Sequence, residues 1–301
     1  MVEGHAVHRV AVAHRRALCG RVWRATSPNA RFAEGARAID GKRLERIEAI
    51  GKNLFYFWEG SHVVHIHFGM SGRFSTHALP GPAPKETTRL RLESTEEGVC
   101  AHLSAMTVTL GSLDLWEEKR AALGTDPLRS DADKERFFDA LANTNRSIGL
   151  CLMEQSILAG VGNIYRAEIL FKAGLHPETP AKVVSRDRAM LESVWHHSKD
   201  LLQRGFETGS ILTVDPAEKI ARRRYIYNQK TCPRCGSGIK SWSIAARTAY
   251  ACETCQPRPG SAELAPARQS ALEAAEPAKT FVSHCAPAGP EETKPVEKLT
   301  V

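Results

Sequence analysis

The sequence predicts an α+β fold: a β-rich first part, then a helical part, then a small cysteine module. Three observations predict it. Between Gly20 and Trp116, short apolar runs alternate with polar residues and are punctuated by glycine turns, the period-2 pattern of half-buried strands. From Asp131 to Gly209 the apolar residues recur every three or four positions, the period of helices packed on one face. Finally, Cys232 and Cys235 are matched across sixteen residues by Cys252 and Cys255, the spacing of a four-thiolate metal module.

Taken in order, residues 4–19 carry Val7, Val10, Ala11, His14 and Leu18 on one helical face, so the β-rich part is flanked by a helix. Leu44–Ile47 leads to Gly51, and Leu54–Trp58 follows. The turn Glu59-Gly60-Ser61 returns the chain through Val64, Ile66 and Phe68, which alternate with His65 and His67. Thr88–Glu93, Val99–Leu103 and Thr107–Leu110 complete a β-sandwich or barrel-like domain ending near Trp116. Asp131 or Asp133 is placed to cap a helix containing Phe137, Phe138 and Leu141. Ile148, Cys151, Leu152 and Gln155 mark a second helix, broken at Ala159–Asn163. A third runs through Ile164, Ala167 and Phe171. Ser185 caps a fourth, with Leu191, Val194, Trp195, Ser198 and Leu202 inward, up to Gly209. The expected domains are 1–116, 117–225, a finger over 226–256, and a tail over 257–301. That tail is rich in Pro, Ala and Glu without apolar periodicity, and is expected to be disordered because it cannot bury enough surface to offset chain entropy.

The formal net charge is +7. Residues 257–301 hold five basic and six acidic residues, which leaves +8 on the remainder, a balance that favours an anionic partner such as nucleic acid. No apolar run approaches the roughly 20 residues that span a bilayer. His8, Arg9, His14, Arg15 and Arg16 stand where a signal peptide needs an apolar stretch. The expected location is therefore a reducing one, not secreted: the cytoplasm, or the nucleoid of a bacterium.

Chemistry concentrates at five places. If Met1 is removed, Val2 presents an α-amine with an unperturbed pKa of about 7.7–8.0 beside the Glu3 carboxylate, at a helix mouth whose partial positive charge favours an unprotonated amine and an anion. Gly160-Val161-Gly162-Asn163 is a glycine-rich break before a helix, which exposes N–H groups to a phosphate; Asn163 can cap that helix and also donate to the phosphate. A tight helix connection gives the same pattern. Lys52 lies in the turn Gly51-Lys52-Asn53, where lysines are usually just solvated. Met70 lies in the loop His67–Gly72, as core filling or as a wedge for a base stack. Cys232, Cys235, Cys252 and Cys255 read as one structural zinc site with no open position, with an iron–sulfur or redox centre as the lesser reading. Zinc would fix the loop bearing Arg247, otherwise a solvated hairpin charge, and the nearby Lys240.

Val2–His5, Gly51-Lys52, His67–Gly72, Gly124–Leu128, Gln155–Phe171 and the four-cysteine finger occur in an order that resembles the formamidopyrimidine-DNA glycosylase/endonuclease VIII family of base-excision repair enzymes. The match covers residues 2 to about 256, and Gln155–Tyr165 is its most specific segment. The resemblance implies a helix–two-turn–helix element at the glycine break and a zinc-ribbon finger. The implied partner is damaged DNA, duplex or single-stranded, bound by a monomer with no membrane association. By resemblance, Val2 attacks C1′ of the damaged nucleoside and forms a Schiff base. Glu3 moves protons at the sugar, and Lys52 contacts the backbone and assists strand cleavage. Met70 fills the gap left by the extruded nucleotide, and Asn163 and Arg247 clamp phosphates.

Three departures shape the expectation. Most members carry proline where this chain has Val2, so strong glycosylase with weak or β-only lyase activity is expected. Leu103–Leu110 lacks the Arg-Arg-Phe wedge. The connection from Gly209 to Cys232 is short. The last two lean towards oxidised pyrimidines. The rival reading is a non-catalytic damaged-DNA-binding protein of the same fold.

Overall fold

In the computed structural model, which describes residues 2–260, the apolar stripe at the amino end closes into α1 (Gly4–Leu18), with Val7, Val10, Ala11, His14 and Leu18 all buried. The chain continues through β1 (Val22–Thr26), α2 (Ala33–Ile39), β2 (Lys42–Ile50), β3 (Asn53–Trp58), β4 (His62–His67), β5 (Arg73–Ala78), β6 (Leu90–Ser94), β7 (Val99–Ser104), β8 (Thr107–Gly111) and α3 (Leu113–Ala122). These elements form the first of two units, which divide between Ala122 and Leu123.

The strands run in the order β5-β7-β6-β1-β2-β3-β4-β8, and every neighbouring pair is antiparallel. β1 is the hinge. Its Val22 and Trp23 pair with β2, whereas Arg24–Thr26 pair with β6. Two four-stranded leaves therefore share one core, drawn from Leu44, Ile47, Leu54 and Tyr56 on one leaf and Phe74, Leu90, Leu92 and Leu103 on the other. This is the expected sandwich, closed through β1. His14 of α1 touches both leaves: its Nδ1 is 2.7 Å from the Tyr56 hydroxyl, and its ring centre lies 4.6 Å from that of Phe74. Burial drops its pKa to about 3, so it packs as a neutral ring.

β1, α2, β5 and α3 are not legible in the sequence pattern. β5 buries one apolar side chain, Phe74, and α3 buries only Trp116, so neither carries a periodic signal.

The second unit contains α4 (Lys134–Ala142), α5 (Ile148–Cys151), α6 (Asn163–Lys172), α7 (Ala181–Ser185), α8 (Arg188–Thr208), β9 (Lys240–Ile244) and β10 (Arg247–Ala251). Asp133 caps α4, accepting from the backbone N–H groups of Glu135 and Arg136 at 3.0 and 3.2 Å. Two expectations are corrected here. The second helix stops at Cys151 instead of reaching Gln155, because the Gln155 amide builds the next loop: it accepts from Gly160 N–H and donates to the carbonyls of Met153 and Val161. The long helix is capped by Asp187, which accepts from Ala189 and Met190 N–H; Ser185 instead ends α7. Gly209 closes α8 at φ 69°, the left-handed position that suits glycine.

α6 is buried on nearly every side. One side joins a helical core with Leu141, Ile148, Leu158, Leu191, Val194 and Leu202. The other, through Ala167 and Phe171, joins Tyr225 and, from the finger, Ile226, Cys232 and Cys252. The expected disordered tail lies, beyond Gly260, outside the described residues.

Candidate active site and nucleic-acid interface

Sheet register gathers four of the sequence-predicted residues at one end of the first unit. His67, the last residue of β4, pairs with Asn53 on one side and Thr107 on the other. That register sets Lys52, the start of the 68–72 loop and Met106 side by side. The Val2 backbone nitrogen donates to the Gly69 carbonyl at 3.4 Å, which brings the chain's start to the same loop. Val2 is 7% exposed and Glu3 fully buried. Glu3 is the N-cap residue of α1 in extended conformation, its carbonyl accepting from Ala6 N–H at 3.1 Å. A carboxylate there sits in the positive end of the helix dipole.

The loop geometry needs its glycine. Gly69 has φ 73°, and a Cβ added there would lie 2.8 Å from Met106 Cβ. Met70 and Met106 are 64% and 60% exposed, so two flexible thioethers project beside the loop that holds Val2. Met106 was not singled out from sequence; an apolar residue in the Ser104–Thr107 turn was the available signal. Around Lys52 the histidines are neutral at pH 7. Burial, then the Lys52 charge, lowers the His67 pKa. Burial first, then the Lys119 charge and the neighbouring His67 imidazole, brings His65 to about 4. His65 Nε2 also lies 2.8 Å from Asn53 Oδ1, which steadies the residue after Lys52.

The other predicted residues lie in the second unit. Gly124-Thr125 runs along the loop before α6: Gly124 N–H donates to Gln155 O and Ala159 N–H to Thr125 O, both at 2.9 Å. A side chain on Gly124 would strike the Ile157 carbonyl, so this close approach needs glycine too. Gly160 then turns at φ 97°, and α6 begins at Asn163 with Gly162 as its cap residue. The expected capping by Asn163 does not occur. Its side chain is taken up instead by a residue 85 positions away: Nδ2 donates to Thr248 O at 3.1 Å, and Oδ1 accepts from the Arg166 guanidinium. Arg166 also donates to Thr248 O at 2.9 Å. Thr248 directly follows Arg247, which is exposed at the start of β10, after a two-residue turn at Ala245 (φ 47°) and Ala246 (φ 59°). Alanine in the left-handed region costs roughly 1–2 kcal/mol per residue, so packing and the finger's base hold a strained tip.

Two further contacts fix the finger. Glu168 on α6, fully buried, accepts from the backbone N–H groups of Tyr225, Ile226 and Tyr227 at 2.7, 2.9 and 2.7 Å and from the Thr213 hydroxyl. Trp242 stacks on His176 at 5.1 Å and donates to Glu178 at 2.9 Å. Arg166 and Glu168 escaped the sequence reading; the i,i+3 spacing of Arg166 from Asn163, and an acid in an apolar helical run, were the signals.

The four cysteines converge. All four sulfurs lie within 4.8 Å of one another, with Cys232–Cys255 at 3.8 Å and Cys235–Cys252 at 3.4 Å. Tetrahedral zinc with bonds of about 2.3 Å sets sulfur–sulfur edges of roughly 3.8 Å, so these thiolates fit such an ion. Among the described residues no helix is long and apolar enough to cross a membrane.

Comparison with known proteins follows the same division of the chain. The family description "Formamidopyrimidine-DNA glycosylase N-terminal domain" matches residues 1–105, and "Formamidopyrimidine-DNA glycosylase H2TH domain" matches residues 123–215. Endonuclease 8 1 of Mycobacterium tuberculosis is 34% identical over 272 residues, covering 85% of this chain and 100% of that protein. The formamidopyrimidine-DNA glycosylase of Bacillus subtilis is 28% identical over 240 residues, covering 74% and 84%. Among solved structures, the Lactococcus lactis Fpg in complex with abasic-site DNA shares the fold, with a TM-score of 0.72 at 22% identity over 85% of this chain and 100% of that one. On the family descriptions and the full-length Mycobacterium relative together, the chain belongs to the formamidopyrimidine-DNA glycosylase/endonuclease VIII family.

Proposed function

We propose that this chain, by its family a DNA glycosylase of base-excision repair, releases oxidised pyrimidines through the amine of Val2, exposed by removal of Met1. The observation that carries the reading is the Val2 nitrogen on the Gly69 carbonyl, next to exposed Met70 and buried Glu3. The amine attacks C1′ of an extruded nucleotide, and the N-glycosidic electron pair leaves with the base. The sugar ring opens as the C1′–N bond becomes an imine, and Glu3 passes the proton to the ring oxygen. Covalent catalysis of this kind divides one hard step into two easier ones. Loss of a C2′ proton then expels the 3′ phosphate, with Lys52 at the backbone, and water releases the sugar. A valine imine lacks the permanent positive charge of a proline iminium, so this lyase step is weak or stops at β-elimination.

Met70 fills the gap that extrusion leaves in a duplex, and Asn163 and Arg247 hold phosphates. One zinc ion on Cys232, Cys235, Cys252 and Cys255 closes the finger and takes no part in the chemistry. The protein acts as a monomer, with catalysis assigned to 1–116, DNA binding to 117–225 and the finger to 226–256. The short connection from Gly209 to Cys232 supports the pyrimidine preference.

The test is borohydride trapping on abasic-site duplex, with intact-mass analysis of the terminus. The reading expects a chain starting at Val2, a trapped adduct, and loss of trapping but retained binding when the terminus is extended. No adduct from the processed chain, or undiminished trapping from the extended one, overturns the catalytic role. Faster release of 8-oxoguanine than of thymine glycol or dihydrouracil overturns the lesion assignment.

A further inference from the structure

We propose that Arg166 is a positioning residue that sets both phosphate ligands of the second unit, holding the Asn163 amide with Oδ1 on the guanidinium so that Nδ2 is the donor at its other end, and pinning the strand end that carries Arg247. The inference rests on the reading that Asn163 and Arg247 hold DNA phosphates.

Arg166 is 1% exposed, so it is no phosphate ligand itself. Its side chain runs back along α6 towards the helix start, as helical side chains do, and reaches Asn163 one turn earlier. An asparagine amide is nearly symmetric in shape but opposite in polarity at its two ends. With oxygen outward it would present an acceptor to a phosphate and repel it. A guanidinium only donates, so Arg166 selects the orientation in which Oδ1 faces inward. Nδ2 then spends one hydrogen on Thr248 O, and the phosphate-clamp reading assigns the second to the ligand.

The same guanidinium donates to that Thr248 carbonyl. Thr248 is the residue after Arg247, beyond a turn whose two alanines sit at positive φ and supply no side-chain hydrogen bond of their own. Without Arg166 the carbonyl keeps only the Asn163 amide, now itself free to rotate. One buried cation thus determines both ligands. Lysine at this position offers a point charge without the planar fork, and the two are not equivalent where two acceptors must be met at once.

The experiment uses the full chain, zinc-loaded, and a duplex carrying a tetrahydrofuran abasic-site analogue. N163A and R247A should each weaken binding by about tenfold, the scale of one lost hydrogen bond to a charged group. R166M should weaken it tenfold or more. In the N163A/R247A background, however, R166M should change affinity by less than about twofold, because the groups it positions are gone. On a lesion-containing duplex the R166M loss should fall on KM, with kcat kept. R166K should recover part of the affinity. If R166M fails to retain zinc, R166Q, which keeps an N–H donor, replaces it in the same comparison. Wild-type affinity in both R166M and R166Q overturns the proposal, as does a loss of equal size in the N163A/R247A background. If N163A and R247A themselves leave affinity unchanged, the phosphate-clamp reading fails and takes this inference with it; if they weaken binding and the Arg166 variants do not, only this inference fails.

Discussion

Replacing Glu168 with glutamine tests how the finger is held. Oε1 accepts from Ile226 and Tyr227 N–H, and Oε2 from Tyr225 N–H and the Thr213 hydroxyl. Glutamine turns one oxygen into a donor. The cheaper orientation puts the NH2 group at the Oε2 position, because the Thr213 hydroxyl can rotate to accept while a backbone N–H cannot. Tyr225 N–H then faces another donor and loses a charge-assisted bond, at a cost of about 1.5–3 kcal/mol. The two bonds that remain drop from charged to neutral strength, roughly half. Relief of the buried carboxylate's desolvation offsets part of this. The net expectation is about 3 kcal/mol, a hundredfold, confined to the second unit. With two units one unfolding free energy is not well defined, so the assay is hydrogen exchange followed by mass spectrometry. Peptides spanning 213–232 should exchange about a hundredfold faster in E168Q, while those from α1 stay unchanged. Acceleration below about threefold, or equal acceleration in α1, refutes the assignment of Glu168 as the finger's anchor.

Three more outcomes are expected. Chelation, or Cys252→Ser, should unfold the β9–β10 hairpin and abolish binding to abasic-site duplex while leaving the first unit's exchange protection intact, since a metal-closed module folds with its metal; a finger that stays protected without zinc contradicts this. Burial lowers His5 to about 4, His14 to about 3 and His65 to about 4. Their folded pKa values lie below the unfolded 6.5, so their stabilisation is complete above pH 6.5 and shrinks as pH falls, with a slope of up to about 1.4 kcal/mol per pH unit for each. The first unit's urea midpoint should therefore drop between pH 6.5 and 5, and a constant or rising midpoint contradicts their neutrality. Met70→Ala should slow base release from duplex by about tenfold, the scale of losing about two buried methylene-sized groups at roughly 0.8 kcal/mol each, and from single strands much less; equal effects on both speak against a gap-filling role.

Legibility from sequence followed locality. α1 and the β3–β4 hairpin repeat their apolar residues at a fixed period, and the cysteine pairs announce themselves by spacing. β1 is different: its strand character comes from serving two partners at once, Arg43 and Lys42 on one side and Glu93 to Arg91 on the other, which no local pattern encodes. Gln155 looked helical because glutamine tolerates helices, yet the loop it ties together offers three hydrogen bonds that a helix would forfeit. Asn163 reads as a helix cap for sound reasons, and a carbonyl 85 residues away outcompetes that role. Arg166 and Glu168 interrupt an apolar helix, and apart from Asn163 their partners lie 45 to 82 positions away. Among the candidate chemical residues, the gathering of Val2, Lys52 and Met70 around His67 is a property of strand register and was not visible in any single segment.

The two-sided burial of α6 bears on inheritance. Its start carries Asn163, its middle ties down the finger's approach through Glu168, and Arg166 links the two. A finger transplanted from a relative brings backbone groups of its own, but Asn163, Arg166 and Glu168 reach them only if they fall where the 248 carbonyl and the 225–227 amides lie here. Recombination between homologues should therefore tolerate a crossover in the exposed stretch before α4 far better than one between α6 and Cys232, so this helix and the metal module are expected to travel as one hereditary block.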